Sequence, residues 1–277
     1  MLASLIIVFR EVLEAGLIVG IVLAATQGVV GRARWILLGI VGGIAGSCVV
    51  AGFADVISAQ FADSGQELFN ASVLLLAVLM LGWHNVWMAQ HGKELAREMA
   101  AVGRDVSSGD RSLAALALVI GLAVLREGSE VVLFLTGILA SDEGGIATVA
   151  LGGAGGLALG AAVAGLLYAG LLQIPTRHLF GVTTWLITLL AAGMASQAMA
   201  FLAQAGVVTI GGTILWDSSG LLDEGSMIGR TLHVLVGYTD RPTEMQLAVY
   251  LAVIAAITLL TRWTRGLADG RHVAAAR

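Results

Sequence analysis

Residues 2–30 read LASLIIVFREVLEAGLIVGIVLAATQGVV, an apolar run that carries Arg10, Glu11 and Glu14 in its interior. Crossing a hydrocarbon core of about 30 Å takes roughly 20 helical residues, and this run is longer than that. Its first charge is Arg10, deep inside the run, whereas a cleavable signal needs a basic region ahead of a short apolar one. The stretch reads as a first membrane helix, and its three charges are what the rest of the chain has to explain.

Composition points the same way. Of 277 residues 58% are hydrophobic and 12% charged, with a mean hydropathy of +0.91. Soluble domains carry about 25% charged residues, so water is the wrong solvent for this chain. The single cysteine, Cys48, rules out an intrachain disulfide and reads as a small core residue. Nucleic acid is not an expected partner; the bilayer is.

The expected class is all-α, a polytopic membrane protein with seven transmembrane helices near 2–30, 35–57, 68–90, 113–140, 146–172, 180–205 and 246–263. Continuous apolar runs without ten-residue alternation favour helices over barrel strands. Eleven of the 15 basic residues fall on one side, including Arg32, Arg34, Lys93, Arg97, Arg104, Arg111 and Arg262. The opposite connections are acidic: Asp55, Asp63, Glu67, Asp142, Glu143, Asp217, Asp223, Glu224, Asp240 and Glu244. The positive-inside rule then predicts an outer N-terminus and a cytoplasmic C-terminus. The long outer connection, 206–245, holds apolar patches too short to span, such as Leu232–Val236. These are expected at the outer interface or folded over the bundle mouth.

The first segment has an echo. Val8-Phe9-Arg10-Glu11-Val12-Leu13-Glu14 and Val124-Leu125-Arg126-Glu127-Gly128-Ser129-Glu130 share the pattern R-E-x-x-E. The second and fifth segments are both glycine-rich, with Gly39 and Gly43 matched by Gly152, Gly156 and Gly160. Two three-helix units, residues 1–100 and 113–205, follow from this. A cytoplasmic loop at 101–112 joins them, and the outer loop 206–245 and a seventh helix with tail, 246–277, come after. Three crossings per unit would set the second upside down, and inverted repeats put a substrate site near the midplane where they meet.

Six ionisable residues thus lie inside apolar helices: Arg10, Glu11, Glu14, Arg126, Glu127 and Glu130. Each costs about 2.5–3.5 kcal/mol at a helix centre on insertion scales. Residues three and four apart share a helical face, so each motif can pair its arginine with its second glutamate. Such a pairing clamps helices, yet it leaves Glu11 and Glu127 over. Four carboxylates against two guanidiniums leave two negative charges uncompensated, so the cluster either takes up protons or binds a cation. Oxygen-rich sites of this kind suit hard cations.

The third segment adds His84, Met88 and His91 on one helical face. They read either as a cytoplasmic exit site with borderline ligands or as interface histidines beside an aromatic belt of Trp83 and Trp87. Gln197 in the sixth segment reads as a helix–helix hydrogen bond.

The doubled R-E-x-x-E motif in a seven-helix chain resembles the high-affinity iron permease family, which includes fungal oxidase-coupled and bacterial EfeU-type permeases. Supporting stretches are Trp83-His84-Asn85-Val86-Trp87-Met88, Phe201-Leu202-Ala203-Gln204-Ala205-Gly206 and Leu215-Trp216-Asp217 with Gly237-Tyr238. The resemblance implies iron transport across a cytoplasmic (inner) membrane, with Glu11, Glu14, Glu127 and Glu130 as ligands along the path. Iron is then the transported substrate, and no tightly bound cofactor is expected. It also implies extracytoplasmic partners: an iron-binding protein and a haem peroxidase or oxidase. Some relatives are associated with lead, and manganese is a further alternative cargo.

Rival classes fare worse. A retinal photoreceptor needs a lysine within a helix, and the only lysine, Lys93, lies in a connection. A di-metal enzyme of the ferritin type combines single glutamates with Glu-x-x-His, not two Glu-x-x-Glu motifs with arginines. The chain is expected to be a transporter and not an enzyme.

Overall fold

The computed structural model describes residues 1–60, 66–140, 145–170 and 176–275. Eight helices follow in order: α1 (Leu2–Ala25), α2 (Arg32–Gln60), α3 (Gln66–Ser108), α4 (Ala114–Ala140), α5 (Ile146–Tyr168), α6 (Thr176–Gln204), α7 (Met227–Val236) and α8 (Glu244–Ala275). The described residues contain no sheet, and Ile214 and Thr243 form an isolated antiparallel bridge. Of the acidic residues expected on the outer side, Asp63, Asp142 and Glu143 lie outside the described residues, as does the end of the fifth expected segment.

Among the described residues five helices are long and apolar enough to cross a membrane: Arg32–Phe53, Gln66–Met88, Ile146–Tyr168, Gly181–Gln204 and Glu244–Thr264. The chain is a multi-pass membrane protein. Helices α1 and α4 have 24 and 27 residues, each at least about 36 Å long at 1.5 Å per residue. Each carries three charged residues near its middle, and that sets the two apart from the five.

Helix α3 is longer than its apolar run. Residues 101–108, expected within a loop, are its last two turns. The charged stretch around Glu94, Arg97 and Glu98 masks a second apolar stripe of Leu95, Met99 and Val106. Val106 and Met99 pack with Val22 of α1, Ile36 of α2 and Leu116 of α4, which holds the extension helical.

The most extensive pairings are α1 with α5 and α2 with α4. Both depend on glycine. A methyl on Gly39 would stand 2.7 Å from the Ala117 carbonyl, and one on Gly43 2.6 Å from Val124 Cβ. In α5, Gly152 meets Met1 and Ser4, Gly156 meets Leu5 and Val8, and Gly160 meets Phe9 and Val12. Helix backbones approach this closely only where side chains are missing.

Two apolar clusters bracket the charged residues. One joins Ala3 and Ile7, Leu74 to Leu81, Phe134 and Ile138, and Ile187 to Ala198. The other joins Val22, Ile36, Val106, Leu116 and Ile120. Along α1 the order is first cluster, charged residues, second cluster; along α4 it is the reverse. The two motif helices therefore run antiparallel, with their charges in one layer between two dry ones.

The long connection at 206–245 is tied to the bundle. Ser226 caps α7 by accepting from the Gly229 amide at 3.0 Å. Gly237 ends α7 at φ 68°, a left-handed conformation that glycine adopts freely. A Cβ on Gly193 of α6 or on Gly237 would fall within 3 Å of the other's Cα, at 2.9 and 2.6 Å. The patch at 232–236 is thus a short helix docked on α6. The rest is pinned by Leu215 N–H to the Pro242 carbonyl (3.0 Å) and Ser218 N–H to the Asp240 carbonyl (2.9 Å).

Candidate metal centre

Arg10, Glu11 and Glu14 sit on one turn of α1, almost wholly buried. The Arg10 guanidinium donates to Glu11 Oε1 at 3.1 Å and pairs with Glu14 Oε1 at 3.0 Å. On α4, Arg126 Nε donates to Glu130 Oε1 at 3.3 Å and lies 3.9 Å from Glu127 Oε1. Each arginine thus faces both glutamates of its motif, so a single clamp per helix does not describe the arrangement, and Glu11 is not left over.

Every one of these four carboxylates has the same division of labour between its oxygens. Oε1 faces an arginine, while Oε2 is buried without a hydrogen-bond partner. A buried carboxylate oxygen without a full hydrogen bond is costly, and four in one layer form a concentrated negative site, although Glu14 Oε2 and Glu130 Oε2 face His84. Glu11, Glu127 and Glu130, together with His84, offer donor atoms that all lie within 4.8 Å of one another. That is the spacing a single cation needs. Glu14 Oε2 lies at the edge of this group, 3.4 Å from His84 Nε2.

His84 stands apart from its expected companions. It reaches inward from α3, 3% exposed, with Nε2 3.9 Å from Glu11 Oε2 and Nδ1 in contact with Glu130 Oε2. His91 instead stacks on Trp87, ring centroids 5.0 Å apart, and its Nδ1 meets the Trp87 carbonyl at 3.2 Å. Met88 keeps to the side of α3 near Gly92. The three residues of the expected exit site are therefore not drawn together: His84 joins the glutamates, and the other two stay on the α3 surface. Spacing along α3 gave no sign of this, because which helix faces His84 is a matter of tertiary packing. Asn85 beside it also has both its amide atoms buried and unpartnered.

Trp87 does more than mark an interface. Its ring carries the Arg126 guanidinium at 4.1 Å, a cation–π contact. Met80, Trp83, His84, Trp87, Arg126 and Glu130 line a cleft of about 260 Å³. On its other side Arg126 borders a second cavity of about 210 Å³, which includes Ile18, Leu95, Met99, Leu122 and Glu127. Arg126 is the wall between the two.

Away from the central charged layer, the 206–245 connection carries a separate acidic group. The Ser219 hydroxyl and amide donate to Asp217 and, with Arg241 at 3.0 Å, hold its carboxyl down at about 2. His233, 3.1 Å away, holds the Glu224 carboxyl below its ordinary value. Neither belongs to the central layer.

A bundle of apolar helices around a buried layer of convergent carboxylates defines an ion-handling membrane protein. A family model described as the iron permease FTR1 family matches residues 1–263, and the chain belongs to that family. The ferrous iron permease EfeU of Escherichia coli O6:H1 is 30% identical over 257 residues, covering 90% of this chain and 91% of the relative. The ferrous iron permease EfeU of Yersinia pestis is 30% identical over 285 residues, covering 100% of this chain and 99% of the relative. No solved structure matches the chain. The chain is accordingly an iron permease and not an enzyme.

Proposed function

We propose that this permease carries ferrous iron inward across the cytoplasmic membrane through one centre built from both R-E-x-x-E motifs. The observation that carries the reading is the set of four buried Oε2 atoms that accept no hydrogen bond of good geometry, gathered around His84 on two antiparallel helices. In this reading Arg10 and Arg126 hold the Oε1 atoms and fix the carboxylates, so that Oε2 of each faces the ion. The two arginines offset part of the charge, leaving a site that a divalent cation neutralises. Ferrous iron as the cargo follows the names of the relatives.

The same reading makes α1 and α4 the remaining two of seven crossings and treats α1–α3 and α4–α6 as inverted repeats. Support comes from matched contacts. Gly39 meets Ala117 and Ile120 as Gly152 meets Met1 and Ser4; Gly43 meets Gly121 and Val124 as Gly156 meets Leu5 and Val8. The buried faces of α3 and α6 correspond too: Leu74 with Ile187, Ala77 with Leu190, Val78 with Ala191, Leu81 with Met194. With the N-terminus outside, the acidic outer connection faces arriving ions, and the partners implied by the resemblance, an iron-binding protein and a haem peroxidase or oxidase, would meet the chain there. The cavity beyond Arg126 points to the exit side, where Met88 and His91 stand further along α3.

Uptake of radioactive Fe²⁺ into proteoliposomes tests this. Wild type should accumulate iron, and Glu11→Gln and Glu127→Gln should each lose most of it while remaining monodisperse in detergent. Unchanged uptake in both variants contradicts the reading.

A further inference from the structure

We propose that His84 is a direct ligand of the transported ion and that Glu14 serves the centre through it, as the carboxylate that orients the imidazole. This rests on the permease reading above and goes further by dividing the four glutamates into two roles. The donor set becomes three carboxylate oxygens, from Glu11, Glu127 and Glu130, with one imidazole nitrogen.

Three observations converge. The four residues with donor atoms within 4.8 Å of one another are Glu11, His84, Glu127 and Glu130, and Glu14 is not among them. Glu14 instead has Oε1 on Arg10 at 3.0 Å and Oε2 at 3.4 Å from His84 Nε2. His84 is 3% exposed, and neither of its ring nitrogens makes a hydrogen bond of good geometry. A ligating histidine almost always gives its other ring N–H to a carboxylate, a backbone carbonyl or water, which fixes the tautomer and the ring's direction. Glu14 stands where that carboxylate belongs, leaving Nδ1 on the side of Glu130 for the ion.

The nitrogen is also what makes the centre unsymmetrical. His84 comes from outside both motifs, and the residue matching it in α6, by the register that pairs Leu81 with Met194, is Gln197. One repeat contributes an imidazole and the other does not. Carboxylate-only sites suit Mg²⁺, Ca²⁺ and Mn²⁺, whereas imidazole suits Fe, Zn, Cu and Ni. A single nitrogen among carboxylates therefore raises Fe²⁺ above the hard divalent ions that outnumber it.

Pulsed EPR on Mn²⁺ bound to purified wild-type protein reads the ligand without any substitution. Nitrogen modulation from a directly bound imidazole is expected, changing on ¹⁵N-histidine labelling and disappearing in His84→Gln. Mn²⁺ bound without nitrogen coupling, or with coupling that survives His84→Gln, overturns the assignment and leaves the permease reading standing; no Mn²⁺ bound at all overturns both. In proteoliposomes, His84→Gln should lower the preference for Fe²⁺ over Mn²⁺, because the nitrogen that favours Fe²⁺ is lost. A purely structural role would lower uptake of both ions equally and leave that ratio unmoved, which also overturns the proposal.

Discussion

Arg10 and Arg126 hold the same place in two copies of one motif, yet their side chains are 2% and 34% exposed. Arg10 is enclosed between Glu11 and Glu14, both within 3.1 Å. Arg126 holds Glu130 at 3.3 Å, stands off Glu127 at 3.9 Å, and rests one face on Trp87. The first is a fixed counter-charge in the core; the second borders two cavities and has room to turn.

The difference should appear in stability. Removing one partner of a fully buried ion pair costs about 3–5 kcal/mol, because a charge is left without compensation. Arg10→Gln should therefore lower the thermal midpoint in detergent sharply. Arg126→Gln should cost clearly less, since its guanidinium is 34% exposed and stands 3.9 Å off Glu127. Equal losses in the two variants would contradict the unequal burial.

Helix packing gives a second contrast. Gly156 lies against the α1 backbone at Leu5 and Phe9, whereas a methyl on Gly165 of the same helix would have nothing within 4 Å. Gly156→Ala should destabilise the protein by about 1–3 kcal/mol through overpacking. Gly165→Ala should be neutral or stabilising by up to about 1 kcal/mol, from helix propensity alone. Thermal unfolding of the pair in one detergent measures both.

The 206–245 connection should tolerate acid. Hydrogen bonds from Ser219, with Arg241 beside them, lower the Asp217 carboxyl from its ordinary 3.8 to about 2 in the folded chain. A carboxyl lowered by folding adds stability above its unfolded pKa and loses it as pH falls through the folded one. The contact is thus complete above pH of about 4 and is lost toward about 2. Fluorescence of the adjacent Trp216 should stay constant down to that range. Asp217→Asn should remove any change below it, and a transition near neutral pH in wild type would contradict the assignment.

Much of this was legible in the sequence. Arg10 to Glu14 and Arg126 to Glu130 announced themselves as charges where lipid excludes charge, and helical period alone put each set on one face. The glycines of α2 and α5 announced close packing, though not that α2 would lie on α4 and α5 on α1. Three features were hidden for physical reasons. The second half of α3 has charged residues between its apolar ones, and such a stripe reads as a loop until Val22 and Leu116 are there to bury it. His84 looked like a neighbour of His91 because they share a helix, but α1 and α4 decide where an imidazole on α3 points. The inequality of Arg10 and Arg126 has no trace in two identical motifs; it comes from what surrounds them.

The central claim is that both motifs make one centre, and equilibrium binding of Mn²⁺ to the detergent-purified chain tests it most directly. One ion per chain is expected in wild type. Glu11→Gln and Glu127→Gln should each weaken that binding strongly, and the double variant should be little worse than either alone, because residues sharing one ligand are not additive. Two ions in wild type, with each single variant losing one and keeping the other, would show two separate sites and contradict the account.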